Sequence, residues 1–196
     1  IKTLEDKIAC QNSSVTMNYE TVTNADQYVW DFSWTGVGID ATTTVPTINI
    51  DLSSAGPGSV PPGVHTVKVA GINGCNTPVN YPWSANASLT IDPTTVGGSV
   101  TGGTTICSAS TSGMLTLSGH TGSVVKWQRS VSPFSTWTDI TNTATTYTSG
   151  ALTQTTQFRA VVQSGVCSPV NSTATIVTVD PASVGGSVTG GKSICS

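Results

Sequence analysis

Charge is scarce in this chain of 196 residues: Lys and Arg together number 7, Asp and Glu 10, and 9% of residues are charged. A surface that holds a nucleic-acid backbone needs clustered cations, so no nucleic acid is expected as a partner. Glu occurs only as Glu5 and Glu20, which excludes the Ala/Glu/Lys/Leu-rich composition of a coiled coil. No apolar run reaches the ~18 residues of a membrane-spanning helix, so membrane insertion is not expected. No basic stretch leads into an apolar one, so no signal peptide is expected. Ile1 is not a natural start, and the chain is expected to be a piece of a longer protein. Histidine is limited to His65 and His120, and no CxxC pair occurs, which leaves little to hold zinc.

Thr (34) and Ser (25) make up near a third of the chain. Among them, apolar residues alternate: Val15, Met17, Tyr19; Tyr28, Trp30, Phe32; Ile48, Ile50, Leu52; Leu115, Leu117; Val125, Trp127; Phe158, Ala160, Val162. A period of two marks half-buried strands, and Thr and Val suit a pleated surface. No sustained 3.6-residue period competes. Gly-containing pairs such as Ser118-Gly119 and Ser164-Gly165 punctuate the runs. In the second half, strands are expected near 98–106, 113–118, 123–130, 135–140, 144–149, 156–163 and 172–179. The fold expected is all-β, with tandem immunoglobulin-like β-sandwich modules. Trp30 and Trp127 are the expected core tryptophans.

An internal repeat sets the domain boundaries. Residues 92–108, DPTTVGGSVTGGTTICS, and residues 180–196, DPASVGGSVTGGKSICS, share 13 of 17 positions at an offset of 88. The expected division is a first sandwich over 1–91, a complete repeat over 92–179, and the first strand of a following, truncated repeat over 180–196. Neighbouring repeats of the same polypeptide are the expected partners.

The five cysteines follow this division. Cys10 precedes Trp30 by 20 residues, as Cys107 precedes Trp127; Cys75 and Cys167 each follow a strand-like run and precede Pro-Val-Asn. Module logic pairs Cys10 with Cys75 and Cys107 with Cys167 and leaves Cys195 unpaired, its partner missing. Such bridges would pin one end of each sandwich. Closing loops of roughly 60 residues stabilises by about 4 kcal/mol in the chain-entropy model. Disulfides in a Thr/Ser-rich chain point to an oxidising, extracellular setting.

The run VGGSVTGGTTICS, then LTLSGHTGSVVKWQRSVSPFSTWTDI, then TTYTSGALTQTTQFRAVVQSGVCS resembles the tandem repeats of giant Bacteroidetes cell-surface adhesins of the gliding-motility, SprB type. The resemblance covers 92–196. Residues 8–92 resemble the PKD-like immunoglobulin modules found beside such repeats, through Cys10-Gln11-Asn12-Ser13-Ser14, Tyr28-Val29-Trp30 and Asn73-Gly74-Cys75. The resemblance implies type IX secretion, display at the cell surface and stacked sandwiches in a filament. It brings no catalytic residues and no cofactor.

Candidate chemistry is sparse. His120 sits in a Ser-Gly-His-Thr-Gly turn without a carboxylate nearby in sequence, and a catalytic triad needs one. Asp26, Asp31, Asp40 and Asp51 lack the spacing of a calcium loop, so no metal site is assigned. Asp92 and Asp180, each before Pro, are expected to form the turns that set the angle between modules. Gly97-Gly98 and Gly102-Gly103 are expected to let the first strand bend or bulge between the two sheets. Trp83 and Trp137 are the candidate ligand platform, because sugar binding uses exposed rings with polar neighbours; Trp34 is less certain. The leading expectation is a non-catalytic stalk of a surface adhesin; the alternative is a module that binds surface polysaccharide. A further expectation is strand exchange, since 183–195 copies the first strand of the preceding repeat and could swap with it.

Overall fold

A computed structural model describes residues 3–35, 40–53, 60–74, 83 and 85–194. Among them every regular element is a strand. The first half holds β1 (Lys7–Cys10), β2 (Ser14–Asn18), β3 (Gln27–Phe32), β4 (Ala41–Thr43), β5 (Thr47–Asp51), β6 (Gly63–Ile72) and β7 (Ala85–Asp92). The second holds β8 (Ser99–Thr101), β9 (Thr105–Cys107), β10 (Leu115–Ser118), β11 (Ser123–Val131), β12 (Thr138–Ile140), β13 (Thr146–Tyr147), β14 (Thr156–Gln163), β15 (Val170–Asn171) and β16 (Thr175–Asp180). Each half is a sandwich. In the first, a sheet ordered β1-β7-β6-β3-β4 faces the β2-β5 pair; in the second, β12-β11-β14-β16-β9 faces β13-β10-β8.

The alternating runs become inward faces. Met17, Trp30, Leu52, Val67, Val69, Leu89 and Ile91 form the first core; Leu115, Trp127, Phe158, Val162 and Val177 form the second. The two cores share no residue. Both central tryptophans are fully buried, and each indole N–H donates within its own sandwich, Trp30 to Thr43 Oγ1 at 3.1 Å and Trp127 to the Ala144 carbonyl at 2.9 Å. A buried indole needs such an acceptor.

Two departures from the alternation have local causes. Val125, expected on the face of Trp127, is 45% exposed. A β-bulge between Val124 and Lys126 inserts one residue and turns Val124 inward instead. The single strand expected over 98–106 is split into β8 and β9 at Gly102-Gly103. β8 pairs antiparallel with β10, and β9 pairs parallel with β16 in the opposite sheet. At the crossing, Gly102 has φ +99°, and a Cβ there would lie 2.5 Å from the Met114 carbonyl oxygen. Only glycine fits a chain that changes sheets this closely.

One shared feature of the two sandwiches positions the cysteines. β1 runs parallel to β7, with Cys10 beside Asp92, and β9 runs parallel to β16, with Cys107 beside Asp180. Each first cysteine therefore lies at the C-terminal pole of its sandwich. β14 runs antiparallel to β16, so the loop after Gln163, which carries Cys167, lies at the N-terminal pole.

Candidate functional site

The meeting of these poles is the most elaborated polar region between the sandwiches. Cys10 is bonded to Cys167, across 157 residues of sequence, with the two Cα atoms 4.9 Å apart. The expected pairs, Cys10–Cys75 and Cys107–Cys167, are thereby corrected. Cys107 is a free, exposed cysteine. Cys75 and Cys195 lie outside the described residues. The physical reason is strand direction. Cys107 sits at the end of β16 and Cys167 beyond its start, so a strand of six residues, about 20 Å at ~3.3 Å per residue, separates them. A disulfide tolerates no more than about 7 Å between Cα atoms. The pole that carries the first cysteine of one sandwich instead meets the pole that carries the second cysteine of the next.

Hydrogen bonds complete the joint. The Asp92 carboxylate accepts the Val166 N–H at 2.8 Å, and its carbonyl accepts the Gln11 N–H at 2.9 Å. Asp92 thus touches both sides of the junction, which is how it acts at the turn before Pro93. The Ser164 N–H donates to Thr95 Oγ1 at 3.1 Å, and Asn12 Nδ2 to Thr94 Oγ1 at 3.0 Å. A turn closed by the Cys167 N–H on the Ser164 carbonyl, 2.8 Å, presents these donors. Gly165 lies inside it with φ +46°, and a Cβ there would collide with the Asp92 carboxylate. Asp92 and Gly165 fit only together.

The other candidate residues are placed separately. Trp137 packs beneath Arg159, whose guanidinium carbon lies 3.9 Å from the ring centroid. Arg159 Nε donates to Gln128 Oε1 at 2.8 Å, and Gln128 Nε2 to Asp139 Oδ1 at 2.7 Å. Lys126 donates to the other Asp139 oxygen at 2.7 Å. These bonds, Lys126 first and Gln128 second, hold the Asp139 carboxyl below the usual carboxylate range. One face of Trp137 is thereby taken by protein. Trp83 has Lys68 Nζ 5.7 Å from its ring centroid, and Lys68 pairs with Asp31 at 3.1 Å. Trp34 stacks on Phe32, centroids 4.9 Å apart, and meets the edge of His65; with Asp40, Ile48 and Asp51 it borders an open cleft of about 360 Å³. Trp83 and Trp137 stand on different sandwiches and share no described contact.

Asp31, Asp40 and Asp51 are engaged singly. Asp31 holds Lys68, Asp40 accepts the Phe32 N–H, and Asp51 accepts the Ser53 N–H. Among the described residues no three His, Cys, Asp or Glu converge on a metal-sized site. The two histidines are far apart in role: His65 Nε2 lies 2.8 Å from the Pro61 carbonyl, and His120 Nδ1 is buried without a partner.

Comparison with known proteins supports the architecture. The family model described as Domain of unknown function (DUF8696) matches residues 96–181. No curated protein matches the chain. Among solved structures, a marsupial T cell receptor is 14% identical, covering 92% of this chain and 73% of its own, at a TM-score of 0.55. A structure of three titin immunoglobulin domains is 9% identical, covering 91% of this chain and 64% of its own, at a TM-score of 0.53. The chain thus spans less than two thirds of that titin structure. At such identities the likeness shows the fold: an all-β chain of immunoglobulin-like sandwiches.

Proposed function

We propose that the chain is a non-catalytic, tension-carrying segment of the stalk of a large secreted cell-surface adhesin. The division 1–91, 92–179 and 180–196, with a PKD-like first module and gliding-adhesin-type repeats exported by a type IX route, belongs to this proposal. The observation that carries it is the junction. A bridge from Cys10 to Cys167 encloses nearly all of both sandwiches, so a pull on the two ends of the chain passes through the bridge and spares the residues between. A disulfide is compatible with an extracellular setting. Low charge and Thr/Ser-rich faces suit a passive spacer exposed to solvent.

Pulling single molecules from their ends tests this. With the bridge intact, only the ~40 residues outside it extend, about 140 Å at ~3.5 Å per residue. With reductant, two further unfolding steps follow. Two unfolding steps without reductant would overturn the tension-carrying role. A pull-down on a polysaccharide panel tests the alternative. The stalk predicts no retention; retention lost in Trp83→Ala or Trp137→Ala would make the chain a polysaccharide reader instead.

A further inference from the structure

Cys107 sits in the same structure as Cys10, one module later. Cys10 ends β1 beside Asp92, and Cys107 ends β9 beside Asp180. The residue after each cysteine donates to the aspartate carbonyl: Gln11 to Asp92 at 2.9 Å, Ser108 to Asp180 at 3.0 Å. The next residue has a left-handed backbone in both, Asn12 at φ 64° and Ala109 at φ 69°. Its N–H donates to a leucine carbonyl, Leu52 at 2.9 Å and Leu152 at 2.7 Å, and the third residue, Ser13 or Ser110, accepts that leucine's N–H at 2.9 Å. Ser13 and Ser110 also donate back to the cysteine carbonyl. The turn is the same down to its hydrogen bonds. In the first sandwich it is bonded to the loop of the next module; in the second it is exposed and free.

The residues that follow keep the means to receive that loop. Asp180-Pro181 repeats Asp92-Pro93, and Ser183 keeps the hydroxyl of Thr95. The one side-chain bond that is not kept is lost on both sides at once: Asn12 and Thr94, which bond each other, correspond to Ala109 and Ala182. Residues 181–194 are exposed and without strand, with Val188 and Ile194 at least 95% exposed, although their counterparts Val100 and Ile106 pack into the second core.

We infer that Cys107 is one half of an inter-module disulfide, and that its partner is the counterpart of Cys167 in a repeat that follows residue 180. Successive modules would then be joined by a ladder of rungs, the first cysteine of each bonded to the second cysteine of the next. With a rung at each end of a repeat, the shortest covalent path across it runs from Cys167 to Asp180, 13 residues, while successive repeats are 88 residues apart, so a ladder shortens the contour an unfolded repeat can release from 88 residues to 13. Forming the rung removes two protons and two electrons from two thiols. A disulfide-exchange donor such as oxidised glutathione accepts them and is reduced to two thiols.

This inference rests on the tandem-array reading, and its test separates the two. The full chain is extended after Ser196 with a second copy of residues 109–179, which completes the repeat begun at Asp180. Both chains are equilibrated in glutathione disulfide with excess reduced glutathione, in which a thiol without a protein partner stays mostly reduced, and then alkylated. In the unextended chain Cys107 alkylates readily. In the extended chain its alkylation falls at least ~10-fold, because a disulfide sulfur is no longer a nucleophilic thiolate. Non-reduced peptide mapping then finds Cys107 joined to the appended copy of Cys167. Cys167→Ser in the appended copy restores the alkylation. Near-UV circular dichroism reports whether the appended repeat is folded. A folded repeat with Cys107 still reactive, or joined to Cys75 or Cys195, overturns the ladder and leaves the array standing. An appended repeat that does not fold overturns the array and the ladder with it.

Discussion

Cys10 and Cys107 occupy matching turns at matching poles, yet one is bonded and the other is free. The difference is the neighbour, since a turn alone supplies one sulfur and the loop of the following sandwich supplies the other. The bond therefore belongs to the junction and to neither module. That changes what it stabilises. If the first sandwich unfolds while the second stays folded, the 82 residues from Cys10 to Asp92 remain a closed loop. If the second unfolds, the 75 residues from Asp92 to Cys167 do. One bridge thus restricts the unfolded state of both modules, each by about 4 kcal/mol in the chain-entropy model.

The contrast between cores and junction can be broken in steps. Trp127→Ala has the largest expected effect, about 3–5 kcal/mol on the second sandwich. Because the cores share no residue, the first sandwich should keep its own transition in a calorimetric melt; a single merged transition shifted as a whole would contradict separate cores. Cys10→Ser is next, at roughly 2–4 kcal/mol. Its signature is that both transitions move, whereas a bridge within one module would move only one. Gly165→Ala should cost about 1–2 kcal/mol, from its left-handed backbone and the clash with Asp92. It should slow bridge formation in an oxidative refolding assay without unfolding either core. Asn12→Ala is the smallest, about 0.5 kcal/mol for an exposed hydrogen bond. It copies what Ala109 already has, so non-reduced mapping should still recover the Cys10–Cys167 bond.

Much of the fold is legible in the chain itself. Alternation marks Tyr28, Trp30 and Phe32, and Phe158, Ala160 and Val162, as strand faces, and both sets are buried. Thr/Val-rich runs between Gly-containing turns exclude helices. Gly102-Gly103 marks the place where the first strand changes sheets. Alternation misplaces Val125, because a bulge adds a residue without a distinctive sequence sign. The candidate site is less legible. Repeat spacing sorts the cysteines into two kinds, but it treats each module as self-contained. The missing information is the direction of β1 against β7 and β9 against β16. That direction is a clue available to anyone who assumes the topology: a first strand parallel to the last must end at the far pole from the loop that carries the second cysteine.

The strands, the two tryptophan-centred cores, the repeat of 88 residues and the presence of one cysteine of each kind per module are all written along the chain. These are local or periodic properties, set by side-chain burial and backbone freedom over a few residues. Which sulfurs meet is set by the packed sandwiches. That depends on strand direction over a whole sandwich and on the stacking of one pole against the next, where 157 residues of chain close to 4.9 Å.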